Sequence, residues 1–219
     1  MANKSGNVFG LTILSPIMDD PEAEVSHALA IRCYLAGLER DQRSPFSKLS
    51  STHIARLVVV DDVVFVGKPA TEEHLKSRYL VFETNFDGDL DTYLSRMARE
   101  IPEAVQSVWG HCVGYPGTSD EHKFIKYMKQ CQLTTTFYFA DVNNKTVEQT
   151  LRALQVQSGL ATFIERNQGK SPAELQTAFA EFWESANTTP PPAPGTRAVG
   201  VLPCFIMPKT AAKGAGGGN

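Results

Sequence analysis

Residues 78–101 read RYLVFETNFDGDLDTYLSRMAREI, and a change of period inside that stretch decides the fold. Up to Asn85, side chains alternate in the manner of a strand: Leu80, Phe82 and Thr84 oppose Tyr79, Val81, Glu83 and Asn85. Asp87-Gly88 then supplies turn chemistry. From Asp89 the period becomes helical. Leu90, Tyr93, Leu94, Met97 and Ile101 fall at i, i+3, i+4, i+7 and i+11, with Asp89 placed as the N-cap. One strand feeds one amphipathic helix.

The same reading extends upstream. Val8–Ile17 is an apolar, β-branched run that reads as a strand. Asp20-Pro21 carries a helix-start signal, and Val25, Leu29, Arg32 and Ala36, with Ala28 and Leu35 beside them, give a stripe predicting a helix to about Arg40. Asp41–Ser51 is a polar connection. Thr52–Val60 reads as the second strand, and Val63–Val66 as a short strand returning from the turn at Asp61-Asp62. Gly67–Ser77 is a charged excursion.

Downstream, Pro102–Val108 continues as helix and Trp109–Gly117 is glycine-rich and irregular. Thr118-x-x-Glu121 resembles a capping box opening a helix whose inner face is Ile125, Met128 and Cys131. Thr134–Ala140 is predicted as the fourth strand. Thr146-x-x-Gln149 and Ser171-x-x-Glu174 open two more helices, one carrying Leu151 and Leu154, the other Leu175, Phe179 and Phe182. Residues 1–186 therefore read as one domain. Residues 187–219 read as a linker (Pro190, Pro191, Pro192, Pro194), an apolar arm at Val199–Met207 and a Gly-rich disordered end.

The order β-α-β-β-α-β is the split βαβ, ferredoxin-like arrangement of the α+β class. It places both main helices on one face of an antiparallel sheet and leaves the other face to be covered by a ligand, a second copy or both. An apolar face of that size predicts a homodimer.

Composition narrows the function classes. The hydrophobic fraction is 42% and the charged fraction 21%, ordinary for a globular chain, and the net charge is −3. Lys and Arg are scattered, so a nucleic-acid partner lacks its electrostatic footprint. No run approaches the roughly 18 apolar residues of a membrane span, and Met1–Gly6 lacks a signal peptide's apolar core. A cytoplasmic location is expected. Cys33, Cys112, Cys131 and Cys204 stand far apart with no C-x-x-C pair, which disfavours structural zinc and predicts free, mostly buried thiols.

Strand alternation sorts the candidate site residues. On the strand 52–60, His53, Ala55, Leu57 and Val59 share the apolar face, and Arg56 lies on the other. Glu83 and Tyr79 from the third strand and Tyr138 from the fourth join Arg56 on the open face. An arginine and a glutamate among valines could fix a carboxylate or enolate oxygen and move a proton, with the Tyr138 hydroxyl assisting. The alternative is a cross-strand ion pair of no chemical consequence. His53 is a further candidate base, against the alternative of a hydrogen-bonded structural histidine. Asn85-Phe86-Asp87-Gly88 lacks the spacing of a calcium or phosphate loop and reads as a turn.

Over roughly Val8 to Asp141 the chain resembles the dimeric α+β barrel superfamily, in which two open sheet faces close on each other. Thr52-His53-Ile54-Ala55-Arg56, Asn85-Phe86-Asp87-Gly88 and Gly110-His111-Cys112-Val113-Gly114-Tyr115-Pro116 resemble a group of bacterial proteins to which the likeness attaches no activity. The superfamily holds cofactor-free monooxygenases, polyketide cyclases, haem peroxidases and haem-dependent dehydratases, so the resemblance speaks to fold more than to reaction. It implies a small-molecule enzyme acting on an apolar, oxygenated or carbonyl-bearing substrate in a cavity of the open face, with no cofactor required. A non-catalytic binding or assembly protein using that face as a dimer interface is the alternative. A haem enzyme is a third reading, in which His111 is the first choice of axial ligand and His53 the second.

Overall fold

The computed structural model describes residues 3–68, 71–141 and 144–196. The apolar arm and the Gly-rich end lie outside the described residues. Strands β1 (Lys4–Ser5), β2 (Val8–Pro16), β3 (Thr52–Val60) and β4 (Tyr79–Asp87) form one antiparallel sheet in the order β1-β2-β4-β3. The described residues also form helices α1 (His27–Ala36), α2 (Leu90–Glu100), α3 (Pro102–Trp109), α4 (Glu121–Gln130), α5 (Val147–Arg166) and α6 (Pro172–Thr188).

Alternation along the strands builds one core. Leu11 and Ile13 of β2 and Leu80, Phe82 and Phe86 of β4 are buried with Ile31 of α1, Tyr93, Leu94 and Met97 of α2, Val105 of α3 and Phe124 of α4. Helices α1 and α2 thus share a face of the sheet. Phe82 is the centre of this layer, edge-on to Trp109 at 5.2 Å and stacked on Phe46 at 6.0 Å. Phe86 lies flat on Tyr93 at 3.8 Å. Each such side chain contributes on the order of 1.5–3 kcal/mol by leaving water.

The first helix differs from its expected form. Asp20 spends its carboxylate on the Glu22 amide in a local turn, and the helix starts at Ser26, whose hydroxyl accepts from the Leu29 amide. Gly37 ends it. The buried residues are Ala28 and Ile31, while Val25 and Leu29 are 54% and 49% exposed. Arg32 fixes that rotation: its guanidinium reaches out to Asp61 and to the Val59 carbonyl, turning the Ala28–Ile31 side inward. Similarly, α4 is capped by Asp120, whose carboxylate accepts from the Lys123 amide, and not by Thr118. Its buried residues are Phe124, Tyr127 and Met128.

Two expected strands are absent. Residues 63–67 are irregular, with Val64 and Val66 more than 80% exposed. Asp62 closes the base of this excursion by accepting from the Val63 and Leu75 amides and pairing with His74. Residues 134–140 form no strand either. Just before them, Cys131–Leu133 pairs with β2, through Leu14 N–H to Cys131 O, Leu133 N–H to Thr12 O and the bridge at Ile13–Gln132. The physical reason lies at the start of the chain. β1 pairs with Val8 and Phe9, and Asn3 O accepts from Gly10 N–H, so the remainder of that edge is taken.

The two C-terminal helices open with the reciprocal capping boxes read in the sequence, Thr146 with Gln149 and Ser171 with Glu174. They form a hairpin in which Phe163, Phe179 and Phe182 cluster at 5.4–6.1 Å.

The relocated cap of α1 is directly testable. Ser26→Ala should cost about 1 kcal/mol in chemical denaturation, the usual value of an N-cap hydroxyl, whereas Asp20→Ala should cost only a few tenths. The reverse ranking would place the helix start at Asp20.

Candidate functional site

Beyond Leu133 the chain leaves the sheet edge and crosses the face that carries no helix. Gly10 makes that crossing feasible: a Cβ built there would lie 2.5 Å from the Tyr138 ring. The Tyr138 hydroxyl donates to Asn85 Oδ1 at 3.2 Å, and Asn3 Oδ1 accepts from the Thr135 amide at 3.3 Å. Between the crossing segment and the sheet lies a cavity of about 480 Å³ lined by Gly10, Thr12, Ile54, Arg56, Glu83, Asn85, Phe137 and Tyr138, among others. That volume is in the range of small-ligand pockets.

Arg56 and Glu83 stand opposite each other in the β3–β4 register. The guanidinium donates from Nε to Glu83 Oε2 at 2.7 Å and from Nη2 to the same oxygen. The pair is far from buried, with the Arg56 side chain 67% and that of Glu83 36% exposed. Tyr138 is partly buried, which pushes its hydroxyl above the ordinary pKa of 10.0 and keeps it a neutral proton donor at neutral pH. Three of the candidates thus meet at one cavity.

His53 does not join them. A β-bulge between Thr52 and Ile54 reverses the alternation at the start of β3. Thr52 turns to the helix side and meets the Tyr93 hydroxyl at 3.1 Å, while His53 Nε2 pairs with Asp87 Oδ1 at 2.9 Å. The second oxygen of Asp87 accepts from the Val147 amide at 2.8 Å, so this carboxylate ties the start of α5 to the sheet. Asp87 also borders a second cavity of about 550 Å³ with Ser47, Ser51, Leu151 and the Pro191–Pro194 segment.

His111 is elsewhere again. Its Nδ1 meets His27 Nδ1 at 2.9 Å, one nitrogen donating and the other accepting. Burial, and then the neighbouring His27, hold the His111 pKa below its ordinary 6.5. Cys112 beside it is buried, and burial pushes its thiol up to about 12, which leaves it a poor nucleophile. The three described cysteines are free: Cys33 is exposed, Cys131 half-buried and Cys112 buried. Among the described residues no three of His, Cys, Asp and Glu converge as metal ligands, and no helix is long and apolar enough to cross a membrane.

Residue-type reasoning over strand faces overlooks Asn85, Gly10 and His27. A glycine inside an apolar strand is the one available signal among these, because it marks a close approach by another chain segment. Asn85 falls in the stretch that reads as a turn, and His27 carries no pattern that singles it out. No family model, no curated protein and no solved structure matches the chain.

Two expectations follow from the exposures and the histidine pair. Arg56→Met and Glu83→Gln should each change stability by less than about 1 kcal/mol, because a solvated ion pair contributes little; a loss of several kcal/mol would mean that the pair is desolvated in solution. His111 has a lowered folded-state pKa, so the stability it supplies is present above 6.5 and lost as the pH falls below it. Melting temperatures at pH 7.5 and 5.5 should therefore converge in His111→Asn relative to the wild type.

Proposed function

We propose that the open-face cavity is a small-molecule site and that the chain is an enzyme acting on an apolar substrate with an oxygenated or carbonyl head. The ferredoxin-like arrangement, in the manner of the dimeric α+β barrels, is the architecture we infer for it. The observation carrying this reading is the convergence of Arg56, Glu83 and Tyr138 on one cavity of about 480 Å³.

The chemistry follows from the donors. Of the five guanidinium N–H groups, two are spent on Glu83, so the others are free to bind a carboxylate, enolate or carbonyl oxygen. Such an oxygen would draw Arg56 away from Glu83 and release that carboxylate as a general base for a proton beside the carbonyl. Tyr138, neutral and donating its single O–H to Asn85 in the free protein, would turn that proton to the substrate oxygen to stabilise developing charge. Ile54 and Phe137 would hold the apolar body and exclude water, strengthening these interactions. No step in this scheme needs a cofactor.

A second reading rests on the same face. Ile54 is 60% and Val58 42% exposed, and Phe137 and Phe139 of the crossing segment are 82% and 71% exposed. A non-catalytic assembly module would cover them with a second copy. Haem belongs to a third reading, and the cavity offers no histidine for it: neither His111 nor His53 is in its lining. His27 occupies Nδ1 of His111, so a haem on His111 would have to be held through Nε2, and a Soret band in the purified protein would reveal it.

Titration with 2-naphthoate, an apolar ring bearing one carboxylate, tests the first reading by calorimetry. Binding should weaken at least about tenfold in Arg56→Met, since a charge-assisted contact of this kind is worth on the order of 1.5–3 kcal/mol. Tyr138→Phe should weaken it less. Equal affinity in the wild type and Arg56→Met would remove Arg56 from the site and the proposal with it.

A further inference from the structure

Among the described residues, nothing covers the hairpin of α5 and α6. In α5 the one buried residue is Val147 at the first position, and α6 has none. Yet large apolar side chains lie in the open: Leu160 at 38%, Ile164 at 53%, Phe179 at 44% and Trp183 at 52%. The seam between the helices is fixed by Phe182 against Gly159 and by Phe163 against Phe179. On a helix turning about 100° per residue, Leu160 and Ile164 lie roughly a quarter-turn around from that seam. Trp183 lies a similar angle around on α6, with Phe179 between it and the seam. Because the helices run antiparallel, both displacements point to the same side of the hairpin.

We infer that this side is a homodimer surface, on which two copies pack their α5–α6 hairpins into a four-helix bundle. Charge supports a second copy as the occupant. Glu165, Arg166, Glu181 and Glu184 project from other sides of the helices by the same geometry, so the face carries no ionisable residue. An isologous contact brings a surface onto itself, and a face without charge does so with no like-charge repulsion.

Area supports it as well. At about 200 Å² for each large apolar side chain, the four exposures amount to roughly 400 Å² per copy, or roughly 800 Å² for a pair. With about 60% of a typical interface apolar, the pair would bury on the order of 1,300 Å² in total, within the size of stable specific interfaces. The crossing segment already occupies part of the open sheet face, through Tyr138 on Gly10 and Asn85. The hairpin side has no such cover among the described residues.

The test is native mass spectrometry of the full chain with concentration-dependent hydrogen exchange. The wild type should give twice the mass of one chain, and amides of residues 157–164 and 176–184 should gain protection as concentration rises. Ile164→Glu with Trp183→Glu should raise the dimer dissociation constant at least a hundredfold while the exchange of β2 and β4 stays that of the folded protein. Ile54→Asp, on the sheet face, should leave the dimer intact. So should Phe205→Glu with Ile206→Glu, in the apolar arm. A monomer at every concentration overturns the inference. A dimer that dissociates with Ile54→Asp or with the arm variant, and not with the hairpin variant, also overturns it, assigning the contact to the sheet face or the arm. If the hairpin variant loses protection in β2 and β4, the single change Trp183→Gln replaces it, with at least a tenfold rise expected and an unchanged constant counting against the surface.

Discussion

The outer edge of β2 can be paired only once, and that limit shapes the rest of the molecule. Asn3 and the two residues of β1 take the end of the edge beside Val8–Gly10. Leu133 and Cys131 take the middle. A segment rich in threonine and aromatics, which alone would complete the sheet, therefore has nowhere left to pair. It crosses the free face instead, and Gly10 lets the Tyr138 ring approach the backbone without a clash. The cavity is a consequence of that crossing. Its floor is the sheet, and part of its wall is Phe137 and Tyr138.

The ion pair in this cavity is better suited to chemistry than to stability. Two opposite charges about 4 Å apart near a surface attract by only a few kcal/mol before the cost of fixing two long side chains, and water screens most of that. With Arg56 two-thirds exposed, the pair can open at small cost when a ligand offers a better oxygen. A fully buried pair would resist such an exchange, since parting it leaves an uncompensated charge. Exposure, which argues against a structural role, is what lets Arg56 and Glu83 be pulled apart.

Sequence period carried most of the core and little of the site. Leu80, Phe82, Tyr93, Leu94 and Met97 were legible because alternation and the 3.6-residue repeat depend on local geometry alone. The capping boxes at Thr146 and Ser171 were legible for the same reason: donor and acceptor lie three residues apart. The start of α1 was not, because Asp20 and Ser26 are both competent caps, and Arg32 reaching for Asp61, 29 residues away, settles the rotation. His53 was assigned to the wrong face by a bulge of a single residue, and no pattern in Thr52–Val60 announces it. Arg56, Glu83 and Tyr138 line one cavity, although the third arrives on a crossing segment and not on a strand. Alternation could not distinguish the two, since an extended segment alternates whether or not it is hydrogen-bonded to a neighbour.

The hairpin poses the opposite problem, of well-formed local structure with little tertiary support. Most helical stability in proteins comes from burying an apolar face and not from the propensity of the isolated helix. Here the local contributions are two capping boxes, worth about 1 kcal/mol each, and a cluster of aromatic rings worth about 0.5–1.5 kcal/mol per pair. The tether to the sheet is narrow: Asp87 accepts from the Val147 amide, and Gln155 donates to the Pro190 carbonyl as the proline segment turns back toward Asp41, where Gly195 must have no side chain because a Cβ would lie 2.7 Å from the backbone. Ordering each residue costs about 1–2 kcal/mol of backbone entropy, so these terms alone leave the tip of the hairpin weakly held. Leu160, Ile164, Phe179 and Trp183 supply the missing term only when something removes them from water. Helix formation and association are then linked: whatever covers that side also sets how much of α5 and α6 is helical at a given concentration.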